Sequence, residues 1–150
     1  MTEFKQPVSV LVVIYTPALD VLLLERAAHP GFWQSVTGSR EADEPLIATA
    51  CREVTEETGI DTRRHRPQDW QITNSFEIFA QWRHRYAPHV THNTEHVFGL
   101  LLPGRCDVVI APDEHREWTW LPWQQAAARC FSWSNRDAIL QLPQRFPSRP

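Results

Sequence analysis

Residues 38–60 read Gly38-Ser39-Arg40-Glu41-Ala42-Asp43-Glu44-Pro45-Leu46-Ile47-Ala48-Thr49-Ala50-Cys51-Arg52-Glu53-Val54-Thr55-Glu56-Glu57-Thr58-Gly59-Ile60. The segment from Pro45 to Thr58 predicts a helix, because Leu46, Ile47, Ala50, Cys51 and Val54 recur at helical spacing. Proline in the first turn costs no backbone hydrogen bond. Gly59 stands where a helix commonly ends in a left-handed residue. On that helix Glu53, Glu56 and Glu57 lie at i, i+3 and i+4, so three carboxylates crowd one stripe. Like charges so placed call for a neutralising partner. A hard divalent cation such as Mg²⁺ suits them, since it prefers oxygen ligands and phosphate-bearing substrates.

Outward from this helix the pattern is mixed. Val8–Tyr15 is an almost unbroken β-branched and apolar run, as expected of a strand buried on both faces. Val21–Glu25 reads as its partner across the turn Thr16–Asp20, and Trp33–Thr37 as a short strand feeding the helix. Further strands are predicted at Trp70–Phe79, Ala80–Tyr86, Thr94–Leu102 and Trp118–Leu121. Helices follow at Trp123–Arg129 and behind Ser134, whose side chain would cap the second with Asp137 at its third position. The Pro-rich end, Phe146–Pro150, is expected to fray. The expected fold is α/β, a mixed central sheet between helices, in one domain spanning residues 1–150.

Composition narrows the function. A net charge of −3 over 150 residues supplies no basic surface for nucleic acid. No apolar stretch reaches the ~20 residues that span a membrane, and the N-terminus lacks the apolar core of a signal peptide. Cys51, Cys106 and Cys130 form no paired motif, which fits reduced thiols and a cytoplasmic protein. His84, His89, His92 and His96 match no zinc spacing. Trp33, Trp118 and Trp120 read as core residues near strands.

The spacing G-x5-E-x7-R-E-U-x-E-E-x-G-U, filled at every fixed position by Gly38, Glu44, Arg52, Glu53, Glu56, Glu57 and Gly59, resembles the signature of the Nudix hydrolases. That resemblance implies an α/β/α sandwich and Mg²⁺-dependent cleavage of a diphosphate linkage, with Mn²⁺ as a substitute metal. It makes Glu53, Glu56 and Glu57 the metal-binding set, with the Gly38 carbonyl as a further ligand, and Arg52 and Glu44 an orienting pair. A separate carboxylate serves as base or extra ligand. Glu114 is the first candidate and Glu95 the competitor, which puts Glu53, Glu57 and Glu114 forward as the catalytic residues.

Words outside the box narrow the resemblance: Phe32-Trp33-Gln34-Ser35-Val36-Thr37, Phe76-Glu77-Ile78-Phe79, Arg83-His84-Arg85-Tyr86-Ala87-Pro88, Asn93-Thr94-Glu95 and Trp133-Ser134-Asn135-Arg136. They are similar to the branch of the family that cuts a pterin triphosphate in bacterial folate synthesis. The substrate this implies is 7,8-dihydroneopterin 3′-triphosphate, giving the monophosphate and pyrophosphate. It places Lys5, Arg26 and Thr37 at the triphosphate, Phe76, Glu77, Ile78 and Phe79 at the ring, and Ser132 as a further ligand contact. Two other readings stay open: a nucleoside triphosphate pyrophosphatase acting on dATP or damaged nucleotides, and a nucleotide sensor that does not cut. The expected partner is a small triphosphate, with no nucleic acid and no membrane. The oligomeric state is open, a monomer being the simplest expectation.

Overall fold

The computed structural model describes residues 3–146. Its centre is a seven-stranded mixed sheet formed by β1 (Val8–Tyr15), β2 (Asp20–Arg26), β3 (Trp33–Gln34), β4 (Val36–Ser39), β5 (Gln68–Glu77), β6 (His92–Leu101) and β7 (His115–Pro122). The main order is β3-β2-β1-β6-β5, with β4 also on β1 and β7 on β2. β1 and β6 run parallel from Val8↔Thr94 to Tyr15↔Leu101, while the other pairings are antiparallel.

β1 is buried from Ser9 onward, as its sequence demands, and its two faces feed two cores. Val10, Val12 and Ile14 pack with Ala50 and Val54 of helix α1 (Leu46–Thr58). Leu11, Val13 and Tyr15 pack beneath α2 (Trp123–Arg129), α3 (Trp133–Leu140) and α4 (Leu142–Arg145), against Ala126, Ala138, Ile139 and Leu142. Helices thus cover both faces, and the expected α/β/α layering is present. Among the described residues no helix is long and apolar enough to cross a membrane.

Several local expectations change. β1 and β2 meet only at Tyr15↔Val21; β2 instead pairs along its length with β7. The Trp33–Thr37 segment is split at Ser35, where β3 pairs with β2 and β4 with β1. Residues Ala80–Arg85 form a 3₁₀ helix, not a strand. Its Trp82 packs on Phe79, His29 and Phe131, a contact set that a flat strand would spread apart. The α3 cap is Ser132, whose Oγ accepts from the Asn135 amide, so Ser134 and Asp137 sit inside the helix. Of the segment Phe146–Pro150 expected to fray, Phe146 instead packs against Tyr15 and Trp70, and 147–150 lie outside the described residues.

Candidate active site

The box folds into β4, a loop and α1, and Arg52 ties the three together. Its Nε and Nη2 donate to the two Glu44 oxygens at 2.9 Å each, and Nη2 also reaches the Ser39 carbonyl at 3.0 Å. Glu44 further accepts from the Glu41 amide and the Thr49 hydroxyl. The Arg52 fork, ahead of the other donors, holds the Glu44 carboxyl down at about 2. Arg52 Nη1 donates to Glu53 Oε1 at 2.8 Å, so the guanidinium also orients a predicted metal carboxylate. Gly59 closes the helix at φ 73°, its amide donating to the Thr55 carbonyl.

The three box carboxylates are not equivalent. Glu56 is half exposed, Glu53 is mostly covered and Glu57 is 1% exposed. Neither Glu57 oxygen meets a donor at full hydrogen-bond geometry, although the Thr37 backbone and the Glu53 carboxyl lie near enough to act on its pKa. Burial, then the adjoining Glu53 and Glu114 carboxylates, raises the Glu57 pKa well above the ordinary range. Burial raises Glu53 as well. Gly38, paired with Val10 in β4, lies so close to Glu53 that a Cβ would enter its carboxylate.

Glu114 comes from the turn before β7. A register shift at Glu25/Arg26, with Arg26 opposite His115, and the bond from the Ala27 amide to the Glu114 carbonyl bring that turn to α1. One ligand atom each from Glu57, Glu114 and His115 lies within 4.8 Å of the others. Glu95 is not in this group. His115, which the sequence reading passed over, is 3% exposed with Nε2 3.7 Å from Glu57 Oε1. Burial, followed by Arg26, lowers its pKa to about 4, leaving the imidazole neutral at pH 7. Unpartnered buried oxygens, crowded carboxylates and a neutral imidazole fit a divalent cation, which would supply the donors that Glu57 lacks.

These groups open into a cavity of about 1300 Å³. Lys5 and Arg26 both line it, and burial first, then the neighbouring Arg85, lowers the pKa of each. Arg85 is a third cation not singled out from the sequence, tied to Lys5 through the bond from the Lys5 amide to its carbonyl. Arg26 stacks 4.8 Å over the Trp82 ring, and its Nε is unpartnered. Thr37 borders the cavity, but its hydroxyl donates to the Val10 carbonyl at 3.0 Å. Phe76, Glu77, Ile78 and Phe79 also line it: Ile78 is buried, Phe79 is 47% exposed, and the Glu77 carboxylate lies outward near Arg83. Ser132 is not among the lining residues; its hydroxyl is used as the α3 cap.

The NUDIX domain model matches residues 5–142, which include every element from β1 to α3. The chain belongs to the Nudix family. Among Nudix proteins it is 50% identical over 142 residues to the dihydroneopterin triphosphate diphosphatase of Escherichia coli strain K12, covering 93% of each chain. It is 39% identical to the protein of that name from Haemophilus influenzae, covering 93% of this chain and 89% of the relative. The solved E. coli dihydroneopterin triphosphate pyrophosphohydrolase superposes with a TM-score of 0.88 at 48% identity, over 95% of this chain and 98% of that one. The Nudix α/β/α architecture is therefore shared in full, not only in the box.

Proposed function

We propose that this Nudix hydrolase cleaves 7,8-dihydroneopterin 3′-triphosphate to dihydroneopterin monophosphate and pyrophosphate, with Mg²⁺, in folate synthesis. The observation that carries the reading is the end-to-end likeness to diphosphatases of that name, at 50% identity over 93% of both chains. The site agrees with it in chemistry: buried carboxylates, the cations Lys5, Arg26 and Arg85, and aromatic residues line one cavity.

Glu53, Glu56, Glu57, Glu114 and the Gly38 carbonyl are the groups proposed to hold the metal. A divalent cation held there would supply Lewis-acid polarisation of a phosphoryl oxygen and a lowered pKa for the attacking water. Lys5, Arg26 and Arg85 hold the triphosphate by charge-assisted hydrogen bonds. Trp82 keeps the Arg26 guanidinium aimed at it by a cation–π contact. Thr37, at the cavity wall, lies beside the phosphate path. Glu114, nearer solvent than Glu57, takes the proton from the attacking water, a role within reach of its carboxylate beside Glu57.

The test is pyrophosphate release from dihydroneopterin triphosphate and dATP, side by side with Mg²⁺, using Glu57→Gln as the blank. The expected result is a strong preference for the pterin that the variant abolishes. Equal or better cleavage of dATP would move the role to nucleotide sanitation. Absence of release from either would revive the reading as a sensor.

A further inference from the structure

Two buried side chains in the cavity remain without a use in the phosphate chemistry. Asn93 and Glu95 are each 5% exposed, and each keeps one acceptor with no donor, Asn93 Oδ1 and Glu95 Oε1. Both line the cavity. Buried acceptors left open in a folded protein call for an explanation, because each forfeits its hydration for nothing.

Their neighbours show what they face. Residues two apart on a strand share a face, and residues directly opposite on paired strands share it too. Phe76 is opposite Asn93, Asn74 is opposite Glu95, and Ser9 of β1 is beside Glu95. Asn93 Nδ2 donates to Ser9 Oγ at 2.8 Å, which fixes the amide so that Oδ1 is the free end. The Ser134 and Asn74 side chains lie near enough to the Glu95 carboxyl to favour its charged form, yet burial outweighs them and raises its pKa. Phe76 is braced edge-on by Trp133 at 6.4 Å. Glu77 alternates to the opposite face and is exposed, so it cannot join this group. Glu95 is also absent from the one cluster of three metal-ligating groups among the described residues.

We propose that Asn93 Oδ1 and Glu95 Oε1, with Phe76 beside them, form the subsite that reads the heterocycle, by accepting the adjacent ring N–H and exocyclic NH₂ of a 2-amino-4-oxopyrimidine edge. A pterin carries that edge, and so does guanine. Adenine does not: its amino group adjoins a bare ring nitrogen, which would set acceptor against acceptor. The inference rests on the reading of the site as one for a heterocyclic triphosphate, and it assigns ring selection to β6 instead of the outward carboxylate of Glu77.

The experiment compares kcat/KM for dihydroneopterin triphosphate, dGTP and dATP in the wild type and in Glu95→Gln, an isosteric change that keeps the contacts to Ser134 and Asn74. The expected result is a fall of at least about tenfold for the pterin and for dGTP, carried mainly by KM, with dATP within about twofold. An unchanged ratio of the 2-amino-oxo substrates to dATP overturns the proposal, whether all rates fall together or none does. If the wild type neglects the pterin, the substrate assignment fails, while the dGTP-to-dATP ratio still decides the subsite. Should Glu95→Gln fail to fold, Asn93→Ala is read by the same ratio.

Discussion

Gly38 and Glu53 occupy adjoining space so tightly that the smallest side chain at 38 would displace the carboxylate. Gly38→Ala should therefore cut kcat by about 100-fold, the usual consequence of moving a reacting group by about an ångström. Circular dichroism and the melting temperature should change little, since β4 keeps its pairing with β1; steady-state kinetics on the folded variant checks this. His115 makes a different kind of statement. Its folded pKa of about 4 lies below the unfolded value of 6.5, so the unfolded chain binds more protons between them. The stability linked to neutral His115 is complete above pH 6.5 and is lost as pH falls toward 4, by about 3 kcal/mol. Thermal melts from pH 7 to 4 should show a shallower fall for His115→Gln than for the wild type. An equal slope would assign the acid sensitivity to other groups.

At the scale of elements, the loop between β4 and α1 depends on the Arg52 fork. Lysine cannot make two parallel bonds to Glu44 and still reach the Ser39 carbonyl and Glu53. Arg52→Lys should lower stability by about 1–2 kcal/mol, scaled to a partly covered pair, and reduce kcat about tenfold as Glu53 loses its orientation. Urea denaturation and kinetics on one preparation test both effects. Elements whose signals are local were legible in the sequence: α1 has its proline, its glycine stop and its helical stripe, and β1 its apolar run. Elements decided by distant partners were not. Nothing near β1 announces that it pairs in parallel with β6, over 80 residues later. The 3₁₀ helix at Ala80–Arg85 read as a strand because the aromatic residues that gather Trp82 come from separate loops. The clustering of Glu53, Glu56 and Glu57 was legible because the box spaces them on one helix. His115 was missed because a single histidine carries no pattern, and its meaning comes from burial against Glu57.

For the molecule as a whole, the site is a defect in an otherwise well-filled structure. Two apolar cores pack the faces of β1, while Glu57 stands buried beside them with both oxygens unpartnered and Glu53 and Glu114 close by. Without a cation, ionising Glu53 and Glu57 in this setting is costly, which is why burial and the neighbouring carboxylates raise their pKa values. A cation that binds only the folded chain stabilises it by RT ln(1 + [L]/Kd), about 2.7 kcal/mol at a hundredfold excess over Kd. For a chain of this size that corresponds to a rise in Tm of about 5–10 °C. Mg²⁺ added to chelator-treated protein should produce that rise, and NaCl at equal ionic strength should not. Glu57→Gln removes the most deeply buried carboxyl and with it the cost of ionising that group beside Glu53 and Glu114, so the metal-free variant should melt above the metal-free wild type at neutral pH and above, and respond to Mg²⁺ weakly or not at all. The opposite ordering, with the metal-free variant less stable, would mean that Glu57 is held by protein contacts and not kept open for a metal.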